Sequence, residues 1–275
     1  FLLRAFGSGI DKRAKQNFLL ASVMMGLAFL SKYTTAYLWL GMIIYIIAYN
    51  RKWLLTGVFY LSHLVMAVLF LPVLVWNYRN GFVSFMFHTS RVEPVQAAFT
   101  PDYFLTEILG EALYTNPVNL VIIILAVSAF TGKKLKTGKP ETRFLIWSAL
   151  PLILTFLLVS VSRRTLPHWN GAGYLTLLPL AALWLRDRTN AKFPAHIKAS
   201  LIFAAVLVSL SVAQILTGFI PLEKFAKKNQ GKGSADYSLE VYGWRQLRKE
   251  FLPLAEKYEQ AGLMPANAPI VSYRW

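Results

Sequence analysis

Long apolar runs broken by short polar segments dominate the chain. Uncharged stretches fill Trp53 to Trp76, Ala112 to Phe130, Phe144 to Ser162, Thr165 to Leu185 and Ala199 to Leu222. A helix needs about 17 to 25 apolar residues to cross a bilayer, so each stretch predicts one crossing. The run Gln16 to Asn50 carries a single charge, Lys32, and one helix over it would extend roughly 50 Å at the rise of an α-helix. That is too long for one bilayer. The pattern therefore predicts two shorter helices split at Ser31-Lys32-Tyr33, and about seven crossings in all.

Past Leu222 the pattern changes. Trp244, Leu247, Phe251, Leu254 and Tyr258 recur at spacings of three and four, which predicts an amphipathic helix ended by Gly262 and Pro265. The run Pro269-Ile270-Val271-Ser272-Tyr273 predicts the start of a strand. Residues 1–222 thus read as a transmembrane domain and residues 223–275 as a small extracytoplasmic α/β domain, cut short, whose helix packs its apolar face on the membrane domain or on a sheet. A chain that opens at Phe1 and stops at Trp275 inside an apolar run reads as a fragment.

Composition sharpens this picture. Of 275 residues, 56% are apolar and 15% charged, and Lys plus Arg exceed Asp plus Glu by 29 to 13. Soluble domains carry about 25% charged residues, so the chain lacks what a water-facing surface needs. Its basic excess sits between apolar runs rather than on a polar face, which argues against a nucleic-acid partner. The absence of cysteine excludes a disulfide scaffold and any Cys-ligated metal centre.

The basic excess orients the spans, because short cytoplasmic loops are enriched in Lys and Arg. Arg4, Lys12, Arg13 and Lys15, then Arg51 and Lys52, then Lys133, Lys134, Lys136, Lys139 and Arg143, then Arg186, Arg188, Lys192 and Lys198 fall on one side if the Gln16 run crosses twice. The opposite loops hold only Lys32, Arg79, Arg91, Arg163 and Arg164. The first side is expected to be cytoplasmic, with the tail outside the cell.

On the outer side Arg and His recur among aromatics, in Trp76 to Arg91 and in Ser162 to Asn170. A guanidinium donates two parallel charge-assisted bonds to a phosphate and stays protonated at an apolar boundary. For Arg79 and Arg163 an interfacial anchor is the favoured reading. His63, mid-span, is expected to be a neutral imidazole bonded to a neighbouring helix, and His196 to be solvated. Leu105, Ile108, Leu109 and Ala112 form an apolar stripe with Glu107 and Glu111 opposite, the pattern of a helix lying on the membrane with its carboxylates on the wet face.

Three blocks resemble the polytopic glycosyltransferases of family 39 type, which include protein O-mannosyltransferases and bacterial transferases that add aminoarabinose to lipid A. They are Gly26 to Thr34, Phe85-Met86-Phe87-His88-Thr89-Ser90-Arg91, and Leu166-Pro167-His168-Trp169 with Tyr174. Asp236-Tyr237 and Tyr242-Gly243-Trp244 are similar to the start of the outer tail in bacterial members. The resemblance implies an all-α, GT-C-like membrane fold in the bacterial inner membrane. It also implies transfer of a sugar from a polyprenyl-phosphate donor to a lipid, glycan or protein acceptor on the outer face, with membrane lipids as the other partners. It places the catalytic Asp upstream of Phe1, so no catalytic residue is assigned and these 275 residues alone are expected to be inactive. Carried over by position, Arg91, His88, Arg164, His168 and Lys32 would bind the donor phosphate. No residue is assigned to a metal, and a divalent metal is the one cofactor left open. A transporter or flippase for a lipid-linked or anionic solute is the alternative. Spans nearly free of mid-membrane charge, with no repeated pair of broken segments, weigh against it.

Overall fold

A computed structural model of the protein describes residues 1–7, 9–90, 99–131, 139–189, 193–221, 244–265 and 268. Every regular element among them is helical: α1 (Leu2–Phe6), α2 (Lys12–Ser31), α3 (Thr35–Tyr49), α4 (Gly57–Arg79), α5 (Val83–Ser90), α6 (Pro101–Thr115), α7 (Pro117–Thr131), α8 (Lys139–Val159), α9 (Gly171–Arg186), α10 (Ala195–Thr217) and α11 (Trp244–Gln260). Two 3-10 turns, Arg51–Leu55 and Pro167–Asn170, join α3 to α4 and lead into α9. The all-α expectation holds for the described residues. The strand expected over Pro269 to Tyr273 and the tail block Asp236 to Gly243 lie outside them.

The Gln16 run breaks where its length requires. Asp11 caps α2, accepting from the Ala14 amide at 2.6 Å, and α2 stops at Ser31, where Lys32 turns extended. Three helices, α4, Pro140–Val159 within α8, and α10, are long and apolar enough to cross a membrane, and α6 with α7 makes a fourth if the bent pair counts as one span. The expected seven therefore stand as three to four by length and composition. Helix α2 spends its first turn on Lys12, Arg13 and Lys15, while α3 has 15 residues and α9 has 16.

Two expected spans are redrawn. Ala112 to Phe130 is not one helix, because α6 and α7 meet at 98°. Proline restricts the residue before it, and Asn116, before Pro117, takes a positive φ of 72° that asparagine tolerates better than most residues. Its Oδ1 then accepts the Val118 amide at 3.1 Å. Thr165 to Leu185 becomes helical only from Gly171, after the 3-10 turn.

The chain divides into two units, Phe1–Ser200 and Leu201–Trp275. Within the first, one aromatic core gathers α1, the start of α2, the end of α3, the Arg51–Leu55 turn, and the starts of α4 and α8. Phe18 stacks on Trp53 with ring centroids 4.6 Å apart, and Phe6 meets Tyr45 at 4.9 Å and Phe144 at 5.1 Å. A second core joins α7 and α9 through Ile122, Ala126, Leu177 and Leu180. Helices α3 and α8 touch backbone to backbone, since a Cβ on Gly41 would overlap the Trp147 carbonyl; small residues at helix interfaces allow this approach. His63 does not bond a neighbouring helix. Its Nδ1 pairs with the Phe59 carbonyl of its own helix at 2.7 Å, and its ring meets Trp39 at 6.1 Å.

No residue of α10 is buried, and His196 in its first turn is exposed as expected. Helix α11 covers the expected amphipathic segment and is capped, past its end at Gln260, by Gly262, whose φ is +70°. The Gly262 amide bonds the Glu259 carbonyl and the Leu263 amide bonds that of Tyr258, both at 3.0 Å. This is the pairing of a left-handed glycine cap.

Candidate functional site

The first unit has two chemically different ends. Around the aromatic core sit Arg4, Lys12, Arg13, Lys15, Arg51, Lys52 and Arg143, and the Arg143 guanidinium lies 4.7 Å from the Tyr49 ring centre. Helix α9 runs back from Gly171 to place Arg186 in its last turn. The opposite end gathers the α2–α3 break, the α4–α5 reversal, the end of α8, the Pro167–Asn170 turn and α6.

At that end Tyr33 is the organising side chain. Its hydroxyl is 3.3 Å from Ser84 Oγ, and its ring meets Phe85 at 5.5 Å and His88 edge-on at 5.0 Å. Ser84 in turn donates to Oδ1 of Asn77 at 2.5 Å, and Asn77 is fully buried. The chain reverses through Gly81 and Phe82, both left-handed at φ of 63° and 57°. Glycine suits the first of these because it has no Cβ to strain. Helix α5 then carries His88 back toward Lys32.

Lys32, Tyr33, Tyr37, His88, Phe156 and Trp169 line a cavity of about 330 Å³. Its wall is aromatic, with Phe156 and Trp169 ring centres 5.2 Å apart. Lys32 also lines a second cavity of about 470 Å³ with Tyr114, Thr115, Asn119, His168 and Tyr174. Of the residues expected to bind donor phosphate, the structure thus brings Lys32 together with His88 in one cavity and with His168 in the other. Arg164 is exposed beside buried Thr165 and lines neither. Arg91 lies outside the described residues. An ammonium and two imidazoles can meet an anion, Lys as a compact charge and His through ring N–H groups, while the aromatic walls offer flat apolar faces.

The largest departure from expectation is α6, whose carboxylates are not its wet face. Glu107 and Glu111 are 1% and 5% exposed, whereas Leu105 and Leu109 are 54% and 63% exposed. Thr165 donates to Oε2 of Glu107 at 2.7 Å, and Tyr174 donates to Oε2 of Glu111 at 2.6 Å. The Asn170 amide nitrogen donates to Oε1 of Glu107 at 3.2 Å and also to Oε1 of Glu111. A helix exposed to lipid turns its apolar side outward and its ionisable groups toward protein, the reverse of a helix in water. The missed signal was two carboxylates one turn apart in a chain that has only 13. Among the described residues no three His, Asp or Glu side chains group to hold a metal ion.

A helical membrane domain with a cationic, aromatic-walled end is the class these features define. Residues 1–76 match the family model for dolichyl-phosphate-mannose-protein mannosyltransferase. Over that stretch the resemblance to membrane glycosyltransferases of family 39 type is borne out. The matched stretch contains Lys32 and ends before His88, Arg164 and His168. No curated protein and no solved structure matches the chain.

Proposed function

We propose that the protein transfers a sugar from a polyprenyl-phosphate donor to a lipid, glycan or protein acceptor on the outer face of the membrane. Lys32 carries the proposal: it lies in the stretch matched to the family and lines both cavities. In this reading the donor phosphate rests among Lys32, His88, His168, Arg164 and Arg91, and its polyprenyl chain stays in hydrocarbon. Cations there would stabilise the negative charge that builds on phosphate as the glycosidic bond breaks. The acceptor hydroxyl needs a base, which the resemblance puts on an Asp upstream of Phe1. The basic end of the bundle supports a cytoplasmic assignment for that end, and in this reading Lys32 faces the outer side.

The test is sugar transfer by the full-length protein in membranes, supplied with a polyprenyl-phosphate sugar. Lys32→Met and His168→Ala should each raise the donor KM. A protein that releases no polyprenyl phosphate from the donor would overturn the assignment. A transporter reading draws on one observation, the buried carboxylates of α6 beside its break with α7, since broken helices and buried ionisable groups mark transport pathways. Movement of a lipid-linked solute across vesicles without sugar transfer would favour it.

A further inference from the structure

Arg164 and His168 stand on a segment with little regular structure of its own. Between Val159 and Gly171 only the Pro167–Asn170 turn is ordered as a helix. A segment without its own ladder takes its shape from bonds to its neighbours, and here α6 supplies them along its length. The Thr100 amide, just before α6, donates to the Val161 carbonyl at 2.8 Å. Two turns further on, Glu107 holds Thr165 and Asn170; another turn on, Glu111 holds Asn170 and Tyr174. Between the two carboxylates Gly110 faces Pro167 so closely that a Cβ would overlap its ring. Past them, the Tyr114 ring stands 6.2 Å from His168 and packs on Gly171.

Burying two carboxylates side by side is costly, and among the described residues neither forms an ion pair. Apolar side chains would cover the same surface without that cost. What they would not do is fix three donors in direction: the Thr165 hydroxyl, the Asn170 amide and the Tyr174 hydroxyl. Thr165 adjoins Arg164, Asn170 lies two residues beyond His168, and Tyr174 shares its cavity with His168 and Lys32.

We infer that Glu107 and Glu111 are positioning residues for the donor site. They clamp the segment from Thr165 to Tyr174 and so set where Arg164 and His168 stand relative to Lys32. This role rests on the transferase reading and adds to it a source of alignment that the cationic residues do not supply themselves. Neither carboxylate touches the donor.

Donor saturation curves for the full-length protein in membranes test the clamp, with Glu111→Gln, the milder Thr165→Val and Lys32→Met compared with the unaltered chain. Misplacing a binding group by a fraction of an ångström weakens the contacts it makes, so both clamp variants should raise the donor KM, on the order of tenfold, with kcat near that of the unaltered protein. A merely structural defect leaves fewer active molecules, lowering kcat and leaving KM alone, and that result would overturn the clamp. Unchanged KM in both clamp variants would overturn it too, while a raised KM in Lys32→Met would keep the donor site. If Lys32→Met also leaves KM unchanged, the donor site is not at this end and the clamp fails with it; if the unaltered protein transfers no sugar, the transferase reading itself fails.

Discussion

Thr165 donates its hydroxyl to Oε2 of Glu107 at 2.7 Å across 58 residues of chain, and both side chains are buried. Thr165→Val keeps the shape and removes the donor, leaving a carboxylate oxygen without that partner. The loss should be about 1 to 2 kcal/mol, since a buried acceptor left without its donor is costly while bonds within membrane domains are weaker than first expected. Thermal unfolding in detergent reads it. Thr165→Ser should restore most of the difference, whereas an unchanged melting temperature for Thr165→Val would deny the bond a role in stability.

Gly41 offers a test of helix packing independent of the site. A Cβ there meets backbone, the Trp147 carbonyl and the Ser148 Cα, which cannot rotate away, whereas one on Gly57 meets nothing within 4 Å. Gly41→Ala should therefore cost about 1 to 3 kcal/mol through overpacking of α3 on α8. Gly57→Ala should be neutral or slightly stabilising, because it reduces the freedom of the unfolded chain. Equal melting temperatures for the two variants would mean that α3 and α8 do not approach at Gly41.

The chain has no cysteine, so single cysteines can be introduced against a silent background. Gly9, at the basic end, has open space around its Cα, and Asn80, at the opposite end, is exposed. In intact cells an impermeant thiol reagent should label Asn80→Cys and spare Gly9→Cys, as the distribution of Lys and Arg requires. The reverse labelling would put the Lys32 cavities on the cytoplasmic side.

Much of the architecture is legible from hydrophobic length alone. The break at Lys32 follows from a run too long for one bilayer, and the gathering of Lys32, His88 and His168 at one end follows once the basic loops are sorted to the other. The inward turn of Glu107 and Glu111 is not legible in that way. Periodicity says that the two faces of α6 differ without saying whether water or lipid meets each, and the same stripe describes a helix on a membrane surface or one packed within a membrane domain. The break at Asn116 was marked only by the Asn116-Pro117 dipeptide, which an uncharged run from Ala112 to Phe130 conceals. Arg164 shows a further limit: a cation in the expected loop can be exposed and line neither cavity.

Arg91 distinguishes a phosphate fork from a simple charge. If it grips the donor phosphate through two parallel bonds, Arg91→Lys should lose transfer activity nearly as severely as Arg91→Ala, because an ammonium keeps the charge and loses the paired geometry. Full activity in both variants, each made and inserted normally, would leave Arg91 as an interfacial anchor.

The donor site at Lys32 is tested most directly by the donor dependence of sugar transfer in Lys32→Met, with Lys32→Arg as the charge-preserving control. A charge-assisted bond to phosphate is worth roughly 1.5 to 3 kcal/mol, so kcat/KM for the polyprenyl-phosphate sugar should fall about tenfold to a hundredfold in Lys32→Met and recover in part in Lys32→Arg. An unchanged kcat/KM in Lys32→Met, at equal protein in the membrane, would contradict a donor site at this end of the bundle.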